Sequence, residues 1–147
     1  MKKLYSHKQT GSAFLWGVGI VVIGLLAVLG PAAAHPALLI VLGLLLVTAV
    51  VFSSLTVEIT ASSLLFWFGP GLLRKQVALA GIERVEAVRN PWYWGIGWRI
   101  TPRGMLYSVS GLDAVEVTRK DGGRFRLGTD QPERLARALE SALDRFK

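Results

Sequence analysis

Few side chains in this sequence could start a reaction. His7 and His35 are its only histidines, and it has no cysteine. Thiol nucleophiles, disulfides, Cys-ligated zinc and iron–sulfur clusters are therefore excluded. Ser108 and Ser110 lack a Gly-x-Ser-x-Gly elbow, and neither histidine is expected in the β domain to act as their base. Asp113 and Glu116 are three positions apart on a predicted strand, so they point to opposite faces and cannot converge on one substrate. Gly95-x-Gly97 lacks the third glycine of a dinucleotide fingerprint, and Gly69-Pro70-Gly71 lacks the lysine of a phosphate loop. Both read as turns. Two histidines do not make a three-ligand catalytic metal centre. The expectation is a protein that is not an enzyme, with no cofactor and no metal.

What remains suits binding. One set is basic: Arg74, Lys75, Arg84, Arg89, Arg99 and Arg103. Cations next to an anionic leaflet gain about 1 kcal/mol each, so this set could hold a domain against lipid headgroups. The same charges also suit an ordinary solvated cytoplasmic surface. The second set is aromatic: Trp92, Tyr93, Trp94 and Trp98, beside Pro91. An extended chain would put Trp92, Trp94 and Trp98 on one side, unless Gly95 and Gly97 bend it. Such aromatics serve as a membrane wedge, as an anchor for a protein partner, or as core.

The elements that position these residues follow from charge distribution. The 147 residues carry a net charge of +7, and 52% are hydrophobic. From Gln9 to Val57, 49 consecutive residues contain no Lys, Arg, Asp or Glu. No soluble domain of this size leaves a third of its length uncharged, which predicts a membrane protein. Gly30-Pro31-Ala32-Ala33-Ala34-His35-Pro36 divides the run into two apolar spans. Each span is close to the roughly 20 residues that cross a bilayer core, and backbone amides in lipid demand helices. The prediction is a transmembrane helical hairpin with helices at about 13–30 and 37–53, in a unit covering residues 1–52. A cleaved signal sequence fits less well, because a second apolar span follows at once. Lys2, Lys3 and Lys8 precede the hairpin, Arg74 and Lys75 follow it, and its turn has no basic residue. The positive-inside rule then places both termini in the cytoplasm. Tyr5 and Trp16 suit an interfacial aromatic belt.

Residues 53–147 have a different texture, with 14 basic and 10 acidic residues. Leu55, Val57 and Ile59 alternate with polar residues, the period of a half-buried strand. Further short strands are expected at Leu64–Phe68, Leu72–Leu79, Ile82–Val88, around Ile100 and Leu106–Val109, and on both sides of Asp121-Gly122-Gly123. A three-residue loop there pairs Val117 with Leu127 and gives Gly123 the left-handed position. A final amphipathic helix at about 131–146 carries Leu135, Ala138, Leu139, Ala142, Leu143 and Phe146 on one stripe. Asp130 and Glu133 have capping-box spacing at its start.

Asn90-Pro91-Trp92-Tyr93-Trp94-Gly95-Ile96-Gly97-Trp98-Arg99, Tyr107-Ser108-Val109-Ser110-Gly111 with Ala114–Val117, and Leu127–Pro132 leading into the helix resemble a small membrane-anchored bacterial pleckstrin-homology-like protein. The resemblance covers roughly residues 53–147. It implies an α+β membrane protein: a two-helix hairpin, then a PH-like antiparallel β sandwich or barrel capped by one C-terminal helix. It implies a bacterial inner-membrane location and a binding or assembly role, with a protein partner or self-association. Phosphoinositide-binding relatives place basic residues in and beside the first hairpin loop. Here that loop is Ala61-Ser62-Ser63, so specific phosphoinositide recognition is not expected. Nucleic-acid binding is not expected either, given a net charge of only +4 over residues 53–147. The alternative reading is a sensor of anionic headgroups that uses the basic and tryptophan residues.

Overall fold

The computed structural model describes residues 2–71 and 73–147. Two sheets share one core. The first runs β1 (Lys3–Thr10), β2 (Ser54–Thr60), β3 (Ser63–Phe68) and β4 (Leu73–Ala78), all antiparallel in that spatial order. The second contains β5 (Ile82–Arg89), β6 (Gly97–Thr101), β7 (Gly104–Ser108), β8 (Asp113–Arg119) and β9 (Arg124–Gly128), in the order β5-β8-β9-β7-β6. Leu55, Val57, Ile59, Phe66 and Phe68 of the first sheet meet Tyr107, Val115, Val117, Phe125 and Leu127 of the second. Phe66 lies 4.9 Å from Tyr107 and 5.7 Å from Phe125, ring centre to ring centre. The last helix, α3 (Pro132–Leu143), closes one open side of this sandwich, burying Leu135, Leu139, Ala142 and Leu143 in the same core. Leu72, expected at the start of a strand, lies outside the described residues.

Between β1 and β2 the chain leaves the sheet as two apolar helices, α1 (Ser12–Leu29) and α2 (Pro36–Val51). Neither buries a residue in the domain. The stretch Ser12–Ala32 is long and apolar enough to cross a membrane, whereas Pro36–Val51 is shorter. A single turn of 3-10 helix, Gly30–Ala34, links them, and the His35 ring caps α2 by accepting from the Ala37 amide at 3.3 Å. Leu25, Leu26 and Leu29 face Leu38, Val41 and Leu42 near this turn.

The helices return to where they began. Thr10 pairs with Ser54, and the Gly11 amide donates to the Ser53 carbonyl at 2.7 Å. Gly11 permits this approach because a β-carbon there would collide with the Phe52 carbonyl oxygen. Phe52 stacks against Phe14 at 5.2 Å and Phe68 at 5.0 Å, so the helix base is keyed into the domain core.

Four expectations need correction. The N-terminal residues form strand β1 of the first sheet, and are not merely a basic lead-in to the hairpin. Tyr5 sits on this strand and donates to Gln131 Oε1 at 3.4 Å. The second sheet is mixed, because β7 and β9 run parallel. In the β8–β9 hairpin, Val117 faces Phe125 and Val115 faces Leu127, two residues away from the expected register. The loop is Lys120-Asp121-Gly122, and Gly122 holds the left-handed conformation at φ +89°. The Asp121 carboxylate accepts from the Gly123 amide at 2.8 Å and stabilises that placement. A two-residue shift leaves every side chain on its expected face. Finally, Asp130 does not cap α3. It takes His7 Nε2 at 2.6 Å instead, while Thr129 Oγ1 accepts from the Gln131 amide.

The closure by α3 leads to a stability prediction. Leu139 is fully buried. Leu139→Asp is expected to cost at least the roughly 2–5 kcal/mol of emptying a buried leucine site, with charge burial added. Glu140→Ala, on the exposed side of the same helix, is expected to change little. Chemical unfolding of both variants checks this, and equal stability would mean α3 is not docked.

Candidate functional site

Position along the sandwich separates the candidate residues. The end bearing the helices holds the close of β1, β3, β5, β7 and β9 and the start of β2, β4, β6 and β8. Gln9 Nε2 donates to the Ser110 carbonyl at 3.1 Å, which brings the β7–β8 connection to the helix base. Arg74, Arg89, Trp92 and Trp94 lie toward this end. Lys75, Trp98 and Arg99 are further along, and Arg84 and Arg103 lie toward the far end. The structure thus does not gather the six cations into one surface. Arg84 is paired with Glu86 at 2.9 Å, and Arg89 is 3.9 Å from Asp113. Arg103 joins Glu83, Glu86, Glu116 and Arg124 around a recess of about 450 Å³ whose charges are mixed in sign.

The tryptophans are also separated. Residues 90–96 connect β5 at one edge of the second sheet to β6 at the other. They must cross the whole width of the sheet, and they do so as a strap at its helix-bearing end. Within it Trp92–Trp94 forms one turn of 3-10 helix, so the extended geometry that would align three tryptophans is absent. Trp94 covers the outer face of the sheet, its ring 4.9 Å from the Arg126 guanidinium. Trp98 is on the opposite face, 5.9 Å from Tyr107 and 5.3 Å from Lys75 Nζ. Trp92 and Tyr93 are 79% and 68% exposed, and Tyr93 also lines an open recess with Trp94, Trp98, Arg99 and Ile100. Arg99 donates from Nε to the Ile96 carbonyl at 2.8 Å and so closes the end of the strap.

A network that the residue-type survey passed over holds the strap down. Arg126 on β9 is only 8% exposed. It donates to Glu116 Oε2 through Nε at 2.9 Å, with Nη2 also 2.9 Å from that oxygen in the ion pair, and to Asn90 Oδ1 through Nη1 at 2.9 Å. Glu116 and Arg126 are directly opposed across β8 and β9. Their opposite charges at that spacing were the available signal, and it appears only in the observed register. Arg74 similarly lies over Trp67, 4.6 Å from the ring centre, across the β3–β4 pair.

The side chains with chemical potential are buried in the fold or paired within it. Ser108 Oγ is buried against Gly128 with no hydrogen-bond partner among the described residues. His35 caps a helix and His7 faces Asp130. Burial pushes the Tyr107 phenol above its ordinary value, opposed in part by Arg119, and burial does the same to Tyr5. Both rings therefore stay neutral at physiological pH. Among the described residues no three His, Asp or Glu side chains group as a metal site. No family model, curated protein or solved structure matches the chain.

The buried pair and the exposed one should respond differently. Glu116→Ala, which strands the Arg126 charge, is expected to destabilise by about 3 kcal/mol. Arg84→Ala, which removes an exposed pair, should change stability by less than about 1 kcal/mol. Denaturant titration of the two variants measures the difference, and similar losses would remove the Arg126 network as the strap's support.

Proposed function

We propose that the two apolar helices form a transmembrane hairpin, and that they hold a pleckstrin-homology-like domain at the cytoplasmic face of a bacterial inner membrane. There the domain works as a non-enzymatic interaction or assembly module, engaging a protein partner or a second copy of itself. The observation that carries this reading is the return of the helical excursion to its starting point, with Gly11 bonded to Ser53. A chain that enters an apolar phase at α1 must come back at α2, because β1 and β2 are neighbours in one sheet. At 1.5 Å per residue α2 is about 24 Å long, short of the roughly 30 Å hydrocarbon core. Local thinning of the bilayer accommodates such a shortfall at modest cost. The lysines before α1, and the uncharged turn, favour cytoplasmic termini.

Support for a binding role comes from the engagement of His7 with Asp130 and of His35 with the Ala37 amide. The headgroup-sensor alternative is the weaker reading, since Arg84 and Arg103 lie toward the end away from the helices and Arg84 is already paired.

A reporter active only in the cytoplasm is expected to work when fused after Lys147 and to fail when inserted at Ala33. The opposite pattern would overturn the orientation. For the role itself, a photo-crosslinker at Asp121, on the far turn of the intact membrane-embedded chain, should give a discrete protein adduct. Lipid adducts alone would replace the interaction module with a lipid-facing domain. The full chain is required, because residues 53–147 alone lack strand β1.

A further inference from the structure

We infer that the strap is a second membrane contact: Trp92 and Tyr93 sit in the headgroup layer and set the tilt of the domain on the bilayer. The inference rests on the transmembrane hairpin proposed above, and it adds a surface that the hairpin alone does not require. Three observations carry it. First, Trp92 and Tyr93 are the most exposed aromatics of the β domain, packed edge to face at 5.9 Å, and they form a small apolar projection. Second, the strap that carries them lies at the helix-bearing end, since Asn90 bonds to the Leu112 carbonyl and Gly97 pairs with Ser108. The Ser110 carbonyl nearby accepts from Gln9, immediately before the helix base. Third, the strap cannot fold away, because Trp94 is clamped over Arg126 and Asn90 is bonded to the same guanidinium.

The bilayer interface is the occupant this geometry favours. A protein partner approaching Trp92 would have to share the side from which the apolar helices emerge. Rings with an apolar body and one polar atom prefer the headgroup layer, and Trp and Tyr have that form. The domain also has no slack to swing clear, since Gly11 and the Phe52-Ser53 pair are its only links to the helices and both are bonded into it. The contact is aromatic in nature and does not depend on reading lipid charge: Arg89 faces Asp113, and the Arg99 guanidinium is bonded to the Ile96 carbonyl of the strap.

The chain has no cysteine, so single spin labels can be placed at will. Labels are introduced through Tyr93→Cys, Asp121→Cys and Leu26→Cys in the full chain. Each variant is reconstituted in phosphatidylcholine vesicles and in the same vesicles with added phosphatidylglycerol. Relative accessibility to oxygen and to a polar nickel chelate reports depth. The Leu26 label should read as within the hydrocarbon on the turn side of the bilayer, the Tyr93 label at the interface in both lipids, and the Asp121 label as aqueous. A Leu26 label within the hydrocarbon with an aqueous Tyr93 label would overturn the strap contact and leave the hairpin standing. A water-exposed Leu26 label would overturn the hairpin itself. Interfacial Tyr93 only with phosphatidylglycerol would overturn the aromatic basis of the contact. Trp92→Ala should shift the Tyr93 label toward water in the Tyr93→Cys background and leave the label unmoved in the Leu26→Cys background, and no shift at Tyr93 would remove Trp92 from the contact.

Discussion

The fold depends on one closure: two strands that are neighbours in a sheet are joined through a pair of apolar helices. Seven cross-strand pairs from Lys3–Thr60 to Thr10–Ser54 fasten β1 to β2, and the Gly11–Ser53 bond continues the ladder up to the helix base. An unpaired backbone amide there would be costly, and this bond also draws the two helix ends together. From Phe52 an aromatic series then runs inward through Phe68 and Tyr107 to Phe66 and Phe125. The base of the hairpin is thus tied to the core through Phe52, while the helices beyond it stand clear of the domain. Rotating the hairpin against the domain would require breaking that series.

Elements with strong apolar periodicity were legible in the sequence, and those without it were not. The uncharged run and the stripe of α3 depend only on which positions avoid water, so their bounds fall within three residues of those observed. Strand β1 gave no such signal because its inward side is polar: Tyr5, His7 and Gln9 meet Gln131, Asp130 and the Ser110 carbonyl. An edge strand that hydrogen-bonds to a helix start has no need of an apolar face. The parallel β7–β9 pair joins strands distant in connectivity, which local spacing does not encode. The β8–β9 register went astray because Gly122 and Gly123 are equivalent by residue type, and only the Asp121 side chain selects between them.

The candidate residues show the same division. Choosing cations and tryptophans by type captured Trp92 and Trp94, but it grouped them with Arg84 and Arg103 from the opposite end of the sandwich. It also omitted Arg126, Glu116 and Asn90, whose arrangement requires three elements to be in place at once. A buried ion pair of this kind contributes little net stability and is better seen as a device that fixes one geometry. Here the geometry fixed is that of the 90–96 strap, since Trp94 finds its place on a guanidinium that cannot move.

The placement of β1 before the helices also sets an order of events during synthesis. Residues 3–10 leave the ribosome first, yet their pairing partners, residues 54–60, follow both helices. The first sheet therefore remains one strand short until the second helix has been made and has come back. Closing a loop of that length through a disordered chain carries an entropic cost that grows only slowly with length. A chain whose second helix failed to return would leave β2 an open edge, with its amides unpaired and available to other chains. Completion of the sheet is thus a built-in proofreading step: a correctly returned hairpin is the one that yields a sealed domain.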